Sequence, residues 1–244
     1  MKKAIAKILS SAVLWMLLFS AASANEIEKY LSEKSNYDSA QVNAINELIK
    51  NAANDNLPEE CLFLKVKEGI AKGVQYDVML EAMREKTLVL RIARELLNFR
   101  FDTKNIAKAH IETLAEYLDM GMTVGGYNDV TRKAKSKKVG IDKTLQLLEV
   151  YVYLQKKGVE KKYTEDVYVS LLDSEMPQKK MSIIADLYVY AYKKKVVFND
   201  AQEIIMNGIK LSWSQQQIRD QFRKIRVKEI KEEMREYNRQ EGIH

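Results

Sequence analysis

The chain has 244 residues, with one cysteine, two prolines, nine glycines and two histidines, and a formal charge of +6. A lone cysteine excludes an intrachain disulfide framework and a thiolate zinc site. Two histidines argue against a histidine metal centre, and so few prolines and glycines argue against a turn-rich β-sandwich or barrel.

Residues 1–24 open on Met1-Lys2-Lys3, continue through an apolar run from Ile8 to Phe19, and close on Ala22-Ser23-Ala24. A basic start, a short apolar run and a small-residue site predict an export signal cleaved after Ala24. The run is shorter than the roughly 20 residues a membrane span needs. No later apolar stretch approaches that length. The sequence therefore predicts an exported chain, periplasmic or secreted, with no transmembrane span after cleavage; the alternative is an uncleaved anchor. Loss of Lys2, Lys3 and Lys7 lowers the charge to +3. That small excess and the compartment both argue against a nucleic-acid partner.

From residue 39 onward apolar positions recur three or four apart. Ala44, Ile45, Leu48 and Ile49 form one stripe, and Leu88, Ile92, Leu96 and Leu97 another. This is the period of a helix with one buried face. The spacing predicts helices over 39–54, 58–72, 76–97, 104–120, 127–137, 142–157, 164–173, 178–194, 200–210 and 214–240. Asp38 with Gln41, and Asn199 with Gln202, read as capping boxes. Thr103, Asp142, Thr164 and Ser214 read as N-caps, and Gly73, Gly121 and Gly158 as left-handed C-terminal caps. The β-prone runs Tyr151-Val152-Tyr153 and Val189-Tyr190-Ala191-Tyr192 lie inside helical patterns. The fold class is all-α and multi-helical.

A weak internal repeat orders these helices. At an offset of 65, Leu57 matches Met122, Val74 matches Val139 and Met83 matches Leu148. At an offset of 139, Ile45 matches Ile184, Leu57 matches Val196, Gly69-Ile70 matches Gly208-Ile209 and Met83 matches Phe222. The expectation is one helical domain over 25–244, an elongated, α-solenoid-like array of three-helix units at 39–97, 104–157 and 178–240. Such arrays bind partners on surfaces their neighbours leave free.

The stretch from Leu57-Pro58-Glu59-Glu60 through Lys67-Glu68-Gly69-Ile70-Ala71-Lys72-Gly73-Val74 resembles a segment of uncharacterised bacterial secreted helical proteins. The resemblance spans one unit of the three. It implies a helical hairpin and carries no activity.

The chain has no metalloprotease, nucleophile-elbow, P-loop or dinucleotide motif. Gly125-Gly126 reads as an interhelical loop, and Cys61, in an apolar run, as a small buried hydrophobe, the alternative being an intermolecular disulfide. His110 reads as a structural residue on a helical stripe. No catalytic residue, metal site or cofactor is assigned. Glu112, Glu149 and Asp186, in moderately apolar segments, are the carboxylates best suited to acid–base work.

Charge is segregated along the chain. Residues 25–126 carry −4, residues 127–195 carry +6 and residues 196–244 carry +1. Arg132, Lys133, Lys135, Lys137, Lys138, Lys156 and Lys157 interleave with Tyr151 and Tyr153 to form the candidate binding patch. Tyrosines beside cations suit an interface. The sequence thus predicts a non-enzymatic interaction or structural protein of the cell envelope. Its partner is a protein or an anionic envelope component, and self-association is a further possibility. The alternative is a periplasmic carboxylate-dependent enzyme acting on cell-wall glycan.

Overall fold

The computed structural model describes residues 24–103, 105–172 and 181–240. The export signal proposed for residues 1–24 lies outside them apart from Ala24. The described residues form helices and no strand: α1 (Ala24–Lys34), α2 (Ser39–Asn54), α3 (Glu59–Ala71), α4 (Tyr76–Phe101), α5 (Lys108–Asp119), α6 (Val124–Ser136), α7 (Ile141–Lys156), α8 (Lys161–Leu172), α9 (Met181–Lys193), α10 (Phe198–Lys210) and α11 (Gln215–Gln240). None is long and apolar enough to cross a membrane. The chain divides into two compact units. Among the described residues, unit 1 comprises those up to Glu95 together with Ile106–Glu112, and unit 2 comprises those of Leu96–Asn105 and from Thr113 onward.

In unit 1, α1 packs on α2 and α2 on α3. Ile45, Leu62, Val66 and Met83 are completely buried there. Asp38 closes the N-terminus of α2 with a capping box to Gln41. At the other end of α2, Arg91 pairs with Asp55 at 2.7 Å, and the Arg94 guanidinium donates to the Asp55 carbonyl, one of the orphan acceptors of a helix terminus. Glu59 opens α3 and pairs with Lys108. Burial raises the Glu59 carboxyl, but hydrogen bonds from Lys108 and the backbone, with the lysine charge, leave it below the usual carboxylate range.

In unit 2, α7 packs against α6, α8 and α9, and α11 lies against α9 and α10. Tyr151-Val152-Tyr153 sits within α7, and Val189 to Tyr192 within α9. The helical period of the surrounding apolar residues outweighs local β preference.

Seven connections share one construction. Each is four residues long, and its second residue has positive φ: Asn56, Gly73, Gly121, Lys138, Gly158, Lys195 and Ser212. The residue after each is apolar, and its N–H reaches back five positions, as Leu57 to Ala52 at 2.9 Å and Val139 to Ala134 at 3.1 Å. These are Schellman caps, which satisfy helix-end carbonyls and place an apolar side chain against the preceding turn. The helices α3, α6 and α10 all have 13 residues, and each lies between two such turns.

Several expected helix starts fall elsewhere. Ser214 does form a capping box with Gln217. Asn199 and Gln202 do not: α10 starts at Phe198, and Gln202 donates to Ser170 Oγ at 2.9 Å instead. Gly140 takes the N-cap expected of Asp142, which falls in the first turn of α7. Thr164 is buried inside α8 with its hydroxyl on the Glu160 carbonyl, and Thr103 accepts from Asn105, ahead of a helix that starts at Lys108. Gly125 and Gly126 are the first turn of α6 rather than a loop, because Thr123 caps that helix through the Gly126 N–H at 3.0 Å.

Candidate binding surface

The candidate patch lies wholly in unit 2, on α6, α7 and the turn between them. Arg132, Lys133 and Lys135 are exposed on α6, and Lys137 and Lys138 form its C-terminus and turn. Cations at that end of a helix complement its dipole. Arg132 pairs with Asp129 at 2.9 Å. Lys133, Lys135 and Lys138 have no ion-pair partner among the described residues. Lys156 and Lys157 are exposed at the end of α7.

The two tyrosines of the patch behave differently. Tyr151 is 2% exposed and packs edge-on against Tyr168 with centroids 6.4 Å apart, so its ring belongs to the core. Tyr153 is half-buried. The Lys157 ammonium lies 5.2 Å from its ring centroid, and its hydroxyl donates to Asp186 on α9. Burial, the hydrogen bond to Asp186 and the aspartate charge together push the Tyr153 phenol up to about 12. The interleaving of lysine and tyrosine in sequence thus folds into two layers, cations outside and most rings inside. Tyr168 and Tyr188 are completely or almost completely buried as well. Helical geometry explains the separation, since neighbours in sequence point about 100° apart.

A groove of about 410 Å³ runs between α6 and α8, lined by Asp129, Val130, Arg132, Lys133, Lys161, Glu165 and Tyr168. Sequence reading included two of these, Arg132 and Lys133. Lys161 pairs with Glu165 across one helical turn at 3.7 Å, and both side chains meet solvent. Tyr168, almost completely buried, is part of the lining. Its hydroxyl is enclosed and has no hydrogen-bond partner. Burial raises the Tyr168 phenol well above its ordinary range; Tyr127 adds to the shift and Arg100 opposes it. Arg100 is itself buried, donates to the Asn128 carbonyl and side chain at 3.2 Å, and leaves its Nε without a partner. No carboxylate among the described residues pairs with it.

The carboxylates singled out by sequence are only partly brought together. Glu112 belongs to unit 1. Glu149 and Tyr153 stand one turn apart on α7, and Tyr153 donates to Asp186. Partial burial of its carboxyl holds Glu149 above its ordinary value, although the residue as a whole is exposed. Cys61 is half-buried, donates to the Pro58 carbonyl, and burial pushes its thiol up to about 12, which keeps it protonated and unreactive. His110 is half-buried on α5. No group of three or more His, Cys, Asp or Glu among the described residues could hold a metal ion. Comparison with protein-family models, curated proteins and solved structures finds no match to this chain.

Proposed function

We propose that the protein is an exported, non-enzymatic interaction protein of the cell envelope. In this reading it is built from three related helical units and binds a protein or an anionic envelope component through the basic face of α6 and α7. The observation that carries it is a recurrence of structure at the two sequence offsets. Asn56, Gly121 and Lys195 hold positive φ, and Gly73, Lys138 and Ser212 do so 17 residues later in each case. Buried positions keep step. Leu62, Tyr127 and Ala201 are equivalent and fully buried, as are Met83, Leu148 and Phe222.

Size matching supports the same reading. A Cβ on Gly69 would meet Met79, and a Cβ on Gly208 would meet Ile218, in both cases ten residues on. The corresponding pair in the middle unit is Ala134 and Thr144, both fully buried. A larger small partner thus stands with a shorter large one. Repeated helical units leave faces that no neighbour covers, and on the middle unit that face carries Lys133, Lys135 and Lys138, which have no ion-pair partner among the described residues. The sequence of residues 1–24 supports export. Passing the purified protein over immobilised envelope extract tests the reading. Retention at low salt that is released at high salt supports it; absent retention overturns it.

One observation favours a second reading, a carboxylate-dependent enzyme acting on cell-wall glycan. Glu149 has a raised carboxyl one turn from Tyr153, which holds Asp186. A carboxyl raised by burial, one turn from a tyrosine that donates to a second carboxyl group, supplies the two groups an acid–base pair needs. Glycan cleavage abolished by Glu149→Gln would establish it, and inert parent protein would remove it.

A further inference from the structure

The groove between α6 and α8 combines three features that the packing of unit 2 does not require. Arg132, Lys133 and Lys161 stand at its edge, with the Arg132 and Lys161 side chains 74% and 62% exposed. Tyr168, 2% exposed, belongs to the lining, and its enclosed hydroxyl has no partner. Arg100, 9% exposed and outside the lining, acts on that tyrosine through its charge and has only the uncharged groups of Asn128 as acceptors. A buried hydroxyl left unpaired is destabilising, and a buried charge without a counterion is more so. Asp129 and Glu165 neutralise two of the four cations. Lys133 at the edge and Arg100 behind the lining therefore remain without a counterion.

We infer that the groove is a binding site for a phosphate monoester group. Such a group carries close to two negative charges near neutral pH and several acceptor oxygens. Lys133 and the Arg132 guanidinium engage it at the edge, Arg132 as a planar fork suited to phosphate oxygens. The Tyr168 hydroxyl donates from the lining, and Arg100 supplies charge behind it. A carboxylate leaves one cation uncompensated and offers fewer acceptors. The same chemistry arrives as inorganic phosphate or as the terminal phosphate of a polyol or glycan. The inference deepens the binding reading by naming the recognised group, and it rests on this face being the binding surface.

The test is calorimetric titration of the purified protein at constant ionic strength with inorganic phosphate, glycerol 3-phosphate and chloride. Saturable binding of phosphate and not of chloride is the expected result. Glycerol phosphate binding more tightly than phosphate would identify a phosphorylated polyol or glycan terminus as the source; the reverse order would identify the free ion. Tyr168→Phe keeps the ring and removes only the hydroxyl, and it should weaken phosphate binding about fivefold without lowering thermal stability. Lys133→Ala, at an exposed and unpaired position, should weaken binding without touching the core, and it carries the test if Tyr168→Phe fails to fold. Absence of saturable phosphate binding, or parent-like affinity in whichever of these variants fold, overturns the site. If envelope retention persists while phosphate fails, the groove assignment falls and the broader binding reading stands.

Discussion

Lys195 and Ser212 show how much the turn construction demands of single residues. Both adopt positive φ, 58° and 56°, where a Cβ approaches its own carbonyl oxygen. The left-handed region costs a non-glycine residue about 1–2 kcal/mol. The turn tolerates this because it satisfies helix-end carbonyls and seats an apolar side chain, Val196 or Trp213, against the preceding helix. Ser212→Gly should therefore stabilise the protein by about 0.5–1 kcal/mol, strain relief outweighing the added freedom of the unfolded chain. Urea denaturation measures it. Gly73, Gly121 and Gly158 were legible as caps because glycine marks that conformation. Lys138, Lys195 and Ser212 were not, since nothing in their chemistry announces a left-handed backbone.

Glu149 gives a pH-dependent counterpart. Its folded-state pKa lies above the ordinary 4.5, so its contribution to stability is present below that pH and is lost as pH rises through the folded value. Glu149→Gln imitates the protonated form. The substitution should raise stability at neutral pH and lose that advantage on acidification below about pH 4.5. Thermal denaturation across that range reads the difference. A neutral-pH loss of stability would show that Glu149 makes a favourable ionised contact.

At the scale of elements, helix existence was legible and helix starts were less so. The apolar period placed Ser39–Asn54 to the residue and held Tyr151 to Tyr153 inside a helix. It missed Ala24–Lys34, whose pattern follows closely on the apolar run from Ile8 to Phe19. N-caps failed where a polar side chain bonded elsewhere: Gln202 bonds Ser170 on a neighbouring helix, and Thr164 bonds the backbone one turn back. Local sequence offers these side chains a cap, and packing decides whether they take it.

The close approach at Gly208 makes an element-scale prediction. A methyl there would stand 2.6 Å from Ile218 Cγ1 and 3.2 Å from Trp213, and Ile218 is a branched side chain with few alternative rotamers in a helix. Gly208→Ala should cost about 1–3 kcal/mol. Gly69→Ala should cost less, since the atom it meets is the flexible end of Met79. Combining Gly208→Ala with Ile218→Thr reproduces the middle unit's Ala134 and Thr144. A double-mutant cycle should then show recovery of about 1 kcal/mol relative to the sum of the single changes. Strict additivity would mean that the small–large match is coincidental.

At the scale of the whole molecule, the sequence exposed segregation of charge but not its depth. The +6 of residues 127–195 predicted a cationic face, and the exposed lysines of α6 and its turn form one. It could not separate Tyr151 and Tyr168 in the core from Tyr153 at the edge, because that requires the relative rotation of packed helices. Nor could it find Arg100 and Tyr168 behind the groove, which are far apart in sequence and joined only by tertiary packing. The second half of α11 is likewise exposed from Val227 onward except for Glu229, with Ile218 and Phe222 alone anchoring the helix in the core.

Matched charge reversal tests the binding claim most directly. Lys135, Lys137 and Lys138 are replaced together by Glu, and in a second variant Lys65 and Lys72 of unit 1 are replaced by Glu; retention on envelope extract is measured at low and high salt. Exposed charges act over about a Debye length, roughly 8 Å at physiological salt, so only reversal within the contact surface should abolish steering. The account predicts a folded unit 2 variant that loses salt-sensitive retention beside a unit 1 variant that retains it. Equal loss in both variants, or parent-like retention in the first, would contradict it.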